Sequence, residues 1–197
     1  LVKIPDSEWL PLALQGNEEA FTRVVEHYQT PVYNLCYRML GSPQEAEDAA
    51  QETFWRAYRN LNRYDSSRSF MTWILSIAAH YCIDQHRRQR INMLPLEGYV
   101  EDTSPDPAPN PEAYASQSEE AAVLRSLLDG LNPQDRAAII LRYWYDLSEM
   151  EIAQTLNLTV SAVKSRLHRA RITLGQRWQA AHPSAVPERR HDESPAF

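Results

Sequence analysis

The sequence predicts an all-helical protein made of two small domains joined by an extended, acidic, proline-rich linker. Three observations carry this expectation. Apolar residues recur at helical spacing between clear capping signals. No run alternates convincingly enough to be a strand, and with only 5 glycines a turn-rich all-β fold is disfavoured. Residues 92–118 combine five prolines with Glu97, Glu101, Asp102, Asp106 and Glu112 and contain no lysine or arginine. Such a segment can neither hold a helix nor bury a core. The expected organisation is a first module over 12–91, a linker over 92–118, a second module over 119–178 and a disordered tail over 179–197.

Taken in order, Phe21, Val24, Val25 and Tyr28 outline a first helix that should stop at Thr30-Pro31. Proline at a first helical position then opens a second helix carrying Val32, Leu35, Cys36, Met39 and Leu40. Ser42-Pro43-Gln44-Glu45 reads as a capping box for a helix over 43–61, with Ala46, Ala50, Thr53, Ala57 and Leu61 inward. A polar loop over 62–69 leads to a helix over 70–90 with the stripe Phe70, Trp73, Ile74, Ile77 and Tyr81. Thr72, Ser76, Ala79, His80, Ile83, Arg87 and Arg90 face away from that stripe. In the second module Asn132-Pro133 caps one helix, and Ser148-Glu149-Met150-Glu151 is another capping box. Asn157-Leu158-Thr159 makes a short turn, after which Thr159 caps a last helix.

Composition excludes several function classes. No stretch approaches the roughly 18 apolar residues of a membrane span. The N-terminus, with acidic groups and no small-residue cleavage site, does not read as a signal peptide. Cys36 and Cys82 sit in helical patterns away from any metal-ligand spacing, which fits small buried hydrophobes in a reducing compartment. No nucleophile–base pair or metal spacing is present, so neither catalysis nor a cofactor or metal is expected. The expected location is the cytoplasm.

The net charge of −6 conceals a local segregation. From Lys164 to Arg177 there are five lysines and arginines and no acid, whereas the acids of the second module all precede them. On the last helix Val163, Leu167, Ala170 and Leu174 form one apolar stripe. The opposite face carries Ser161, Lys164, Ser165, His168, Arg169 and Ile172, and Arg166 and Arg171 lie on its flanks. Small and cationic residues on the outer face of a capped helix-turn-helix suit a major groove, with the flanking arginines near phosphates. The helix over 43–61 has the opposite character. Its outer face carries Asp48, Gln51, Glu52, Trp55 and Arg59, an aromatic anchor among carboxylates that fits a basic protein surface. The loop 62–69, with Arg63, Tyr64, Asp65, Ser66, Ser67 and Arg68, and the basic end of the helix behind it could hold single-stranded nucleic acid.

These motifs resemble a known family. The segment "AEDAAQETFWRAYRNLNRYDSSRSFMTWILSIAAHYCIDQHRR" resembles region 2 of the extracytoplasmic-function (ECF) sigma factors of bacterial RNA polymerase. "LDGLNPQDRAAIILRYWYDLSEMEIAQTLNLTVSAVKSRLHRAR" resembles their region 4. The resemblance covers about residues 17–178 and implies a region 2 bundle followed by a region 4 helix-turn-helix. It implies that Asp48, Gln51, Glu52 and Trp55 contact core polymerase. Arg63 to Arg68, with Ser76, His80 and Arg87, would meet the −10 element and help melt it. Ser161, Lys164, Ser165, Arg166, His168, Arg169 and Arg171 would read the −35 element. His80 stands where the family usually has asparagine, which bears on −10 preference. The implied partners are core RNA polymerase, promoter DNA and an anti-sigma factor, without membrane insertion. The competing expectation is a free-standing helix-turn-helix regulator that does not bind polymerase.

Overall fold

The computed structural model describes residues 9–92 and 115–182. Among these residues all regular structure is helical: α1 Leu10–Leu14, α2 Glu18–Leu40, α3 Pro43–Arg59, a 3₁₀ turn Leu61–Arg63, α4 Phe70–Asn92, α5 Ala115–Asp129, α6 Pro133–Tyr143, α7 Glu149–Leu156 and α8 Val160–Ala181. The predicted linker falls largely on 93–114 and the predicted tail largely on 183–197, both outside the described residues. Two edges differ from expectation within the described part. Helix α5 begins at Ala115, inside the stretch assigned to the linker, and α8 runs on to Ala181. In both places the prolines end before the helical residues begin or start after they end.

The caps form as the side chains dictate. Asn17, Ser42, Asn132, Ser148 and Thr159 each accept a hydrogen bond from the backbone N–H three residues on. At Ser148 the box is reciprocal, since Glu151 Oε2 accepts from the Ser148 N–H at 2.8 Å. At Ser42 it is not. The Glu45 carboxylate instead accepts from Gln89 Nε2 of α4 at 2.7 Å, a tertiary bond that replaces the local one.

The predicted break at Thr30-Pro31 does not occur, and α2 runs through Pro31 without interruption. Val24, Tyr28, Val32, Leu35, Cys36 and Met39 are all buried, so one stripe spans the proline. Packing along that stripe outweighs the roughly 3 kcal/mol that an interior proline costs. Helix α4 also departs from a one-sided pattern. Thr72 and Ala79, predicted to face outward, are buried together with Phe70, Ile74, Leu75, Ala78 and Cys82. The reason is that α4 packs on α2 and α3 on one side and on α6 and α7 on the other.

The two modules are thus docked on each other and share one apolar core running from Leu10 to Ala170. Arg136 of α6, only 3% exposed, ties the seam. It donates through Nε to Leu128 O (2.8 Å), through Nη1 to Met39 O (2.5 Å) and through Nη2 to Asp129 Oδ1 (2.6 Å). The Met39 carbonyl, in the last turn of α2, also accepts from His86 Nε2 of α4 at 2.5 Å. Tyr145 donates its hydroxyl to Pro31 O at 2.5 Å, and burial pushes its pKa up, which keeps the phenol a donor. The Arg38 guanidinium lies 5.2 Å from the Trp144 ring centroid, and Arg125 donates to the Tyr37 hydroxyl. Cys36 and Cys82 lie fully buried on α2 and α4. The Cys82 thiol donates a hydrogen bond to Cys36, and this bond and burial both push its pKa up, which disfavours a thiolate there.

Candidate polymerase and nucleic-acid interfaces

Three surfaces carry the residues singled out in the sequence. The first lies on α2 and α3. Two open hollows of about 490 and 550 Å³ share Val25, Gln51 and Phe54 and so form one continuous groove. Tyr33 and Glu47 border one end, and Phe21, Trp55 and Tyr58 the other. Trp55 is 56% exposed and Tyr58 42%. Phe21 and Tyr58 meet edge to face at 5.0 Å, which braces the apolar wall from both helices. Asp48, Gln51 and Glu47 are exposed on the same helix, while Glu52 is half-buried in an ion pair with Arg56 at 2.7 Å. An apolar floor with a carboxylate border fits a partner helix that presents apolar and basic side chains. Tyr58 was not singled out in the sequence, and Phe21 was read only as part of a helical apolar pattern. Tyr58 sits three residues after Trp55 on the same face, the signal that could have found it.

The second surface is the loop 62–69 with the outer side of α4. The loop is internally organised. Asp65 Oδ1 accepts from Ser67 N at 2.9 Å, and Arg68 Nε lies 3.7 Å from Asp65 Oδ2. The Ser67 hydroxyl and N–H hold the Asp65 carboxyl below its ordinary value. Tyr64 packs on Phe70 (5.2 Å between ring centroids) and Trp73 (5.3 Å) and donates to Arg68 O at 2.5 Å. Its ring is a support for the loop, and Arg63, Asp65, Ser66, Ser67 and Arg68 form the exposed rim. Ser76 is half-buried, whereas His80 and Arg87 are exposed further along α4. The His80 ring donates from Nδ1 to Ser76 O at 2.7 Å, which fixes its orientation on the helix surface.

The third surface is the outer face of α8. Val163, Leu167 and Ala170 are buried against α6 and α7, and Ser161, Lys164, Ser165, His168, Arg169, Arg171 and Ile172 are exposed. The turn before α8 places Asn157 in the left-handed region at φ 53°, a conformation that asparagine adopts more readily than most residues. Lys164 pairs with Glu149 of α7 at 3.6 Å. Arg166 is turned inward. Its side chain is only 20% exposed, and its Nη1 donates to Asp135 Oδ1 of α6 at 2.9 Å. The structure therefore brings together six of the seven predicted basic-helix residues on the open surface and buries most of the seventh.

The comparisons with known proteins follow this geometry. Residues 24–91 match the Sigma-70 region 2 family and residues 121–174 match Sigma-70, region 4. The ECF RNA polymerase sigma factor SigW of Bacillus subtilis is 36% identical over 169 residues, covering 81% of this chain and 89% of that protein. The chain belongs to the ECF sigma factors. SigE of Mycolicibacterium smegmatis, also an ECF sigma factor, is 36% identical over 176 residues, covering 88% of this chain and 67% of that one. Among solved structures, CnrH in complex with the cytosolic domain of CnrY has the same fold, with a TM-score of 0.66 at 24% identity over 87% of this chain and 96% of the other. Family membership settles the fold class: a region 2 bundle and a region 4 helix-turn-helix.

Proposed function

We propose that this ECF sigma factor docks core RNA polymerase in the α2–α3 groove and carries it to promoters through its two DNA-facing surfaces. The observation that supports this reading most is the juxtaposition on one chain of an acidic, aromatic groove and a cationic recognition helix. The groove around Asp48, Gln51 and Trp55 repels DNA and attracts a basic helix, while the outer face of α8 does the reverse. On this reading Lys164, Ser165, His168 and Arg169 meet base edges and phosphates of the −35 element, with Ser161 and Arg171 at the borders. The loop rim and the α4 residues Ser76, His80 and Arg87 meet the −10 strand as it melts, held open by the Tyr64 brace. The two modules are the helical stretches 10–92 and 115–181.

A sigma factor of this kind contributes binding energy and no catalytic step; the chemistry of RNA synthesis belongs to the polymerase. Its workplace is the cytoplasm, and among the described residues no helix is long and apolar enough to cross a membrane. An anti-sigma factor is the expected regulator, as RpoE of Bartonella quintana was solved with NepR. The competing reading, a free-standing regulator, would leave the acidic aromatic groove without a role.

The test is a pair of variants. Asp48→Arg should weaken binding to core polymerase tenfold or more, roughly the effect of a close charge reversal at a complementary interface. Lys164→Ala with Arg169→Ala should leave core binding intact and abolish initiation at promoters that depend on a −35 element. Normal core binding by Asp48→Arg would place the docking surface elsewhere.

A further inference from the structure

We infer that Asp135 is the positioning residue for the DNA-facing cations of α8, and that it sets promoter specificity without touching DNA. The inference rests on the reading that the outer face of α8 meets the promoter. Asp135 is the third residue of α6, in the first turn, where unpaired N–H groups favour a negative charge. Asn132 at the cap fixes it twice: Asn132 Oδ1 accepts from Asp135 N at 3.0 Å, and Asn132 Nδ2 donates to Asp135 Oδ2 at 2.6 Å. With Oδ2 held by the cap, Oδ1 is left to α8. It receives Arg166 Nη1 at 2.9 Å and lies 3.6 Å from Arg169 Nη2. The Asp135 side chain is 5% exposed, Arg166 20% and Arg169 56%.

One immobile carboxylate therefore anchors a covered arginine and an open one that are three residues apart on α8. The anchor belongs to another helix, 31 and 34 positions back in the chain, so it fixes both the seating of α8 on α6 and the direction of Arg169. A long guanidinium side chain loses much freedom when it engages a base or phosphate, and a pre-set one loses less. Lys164 differs in its partner: at the same 3.6 Å, Glu149 is 41% exposed where Asp135 is 5%, so the carboxylate it faces is not held in place.

A positioning carboxylate has a signature that separates it from a structural one and from a simple charge. The holoenzyme of this chain with bacterial core polymerase is titrated with a duplex recovered by selection with the wild-type holoenzyme, and with a shuffled duplex of equal composition. Asp135→Asn preserves volume and the cap, but removes the charge that orders the two arginines. It should lower affinity for the selected duplex about tenfold, the scale of one well-formed arginine contact, while affinity for the shuffled duplex holds or rises. In an Arg169→Ala background the same substitution should cost nothing further. Equal losses on both duplexes, or gains on both, would overturn the inference. If Asp135→Asn does not assemble with core, Arg169→Lys keeps the charge and loses the reach to Asp135. It should show the same fall in selectivity, and unchanged selectivity would overturn the inference equally. Lys164→Ala is the control: if it leaves promoter affinity intact, the reading of α8 as the DNA face fails as well. If Lys164→Ala weakens binding and Asp135→Asn does not, the positioning role alone is wrong.

Discussion

At Trp55 the chain leaves an indole 56% exposed, with the Arg59 guanidinium 6.0 Å from its ring centroid and the Phe21–Tyr58 pair beside it. An aromatic in that setting is the kind of side chain that dominates a protein interface. Trp55→Ala should therefore weaken core polymerase binding by about 2 kcal/mol, close to 30-fold, in an anisotropy titration. Helix content should not change, because the indole supports little of its own module. Residue by residue, angular position alone predicted the open face of α8 correctly from Ser161 to Arg171, because a helix docked along one stripe must expose the opposite one. It misplaced Arg166, which falls beside Val163 on the helix and finds Asp135. That carboxylate sits 31 residues away in sequence, and nothing local announces it.

Among the elements, α2 shows where local rules yield to packing. A proline at position 31 reads as a helix stop, yet the residues on both sides share one buried stripe. Helix α7, by contrast, is bounded by its own side chains, with a reciprocal box at Ser148 and a left-handed Asn157 at the other end. Short helices with such ends are legible in sequence because the signals are local. Helix α4 was only half legible: its basic end was clear, but burial of Thr72 and Ala79 depends on a second layer of helices that no single-helix pattern contains. Pro31→Ala should restore a backbone donor toward the His27 carbonyl and raise the stability of the chain by about 1–2 kcal/mol, read as a higher urea midpoint. A lower midpoint would mean that the proline acts mainly by restricting the unfolded chain.

For the whole molecule, the sequence made two modules evident and said nothing of how they meet. Two of the contacts that join them run to backbone carbonyls, Met39 O and Pro31 O, whose availability as acceptors leaves no trace in residue type. Docked, the described part is a body of about 40 Å across by the usual scaling of compact chains. On the proposed reading the two DNA-facing surfaces meet separate promoter elements, and core polymerase would set the spacing between them. Two weak DNA-binding surfaces then act together only on the enzyme, where their spacing is fixed. The most direct test is an anisotropy titration of a labelled promoter duplex with the chain alone, with core polymerase alone, and with both. The account predicts weak, sequence-blind binding by the chain alone and specific, tight binding only when both are present. Specific binding by the chain alone, unchanged by core polymerase, would contradict it.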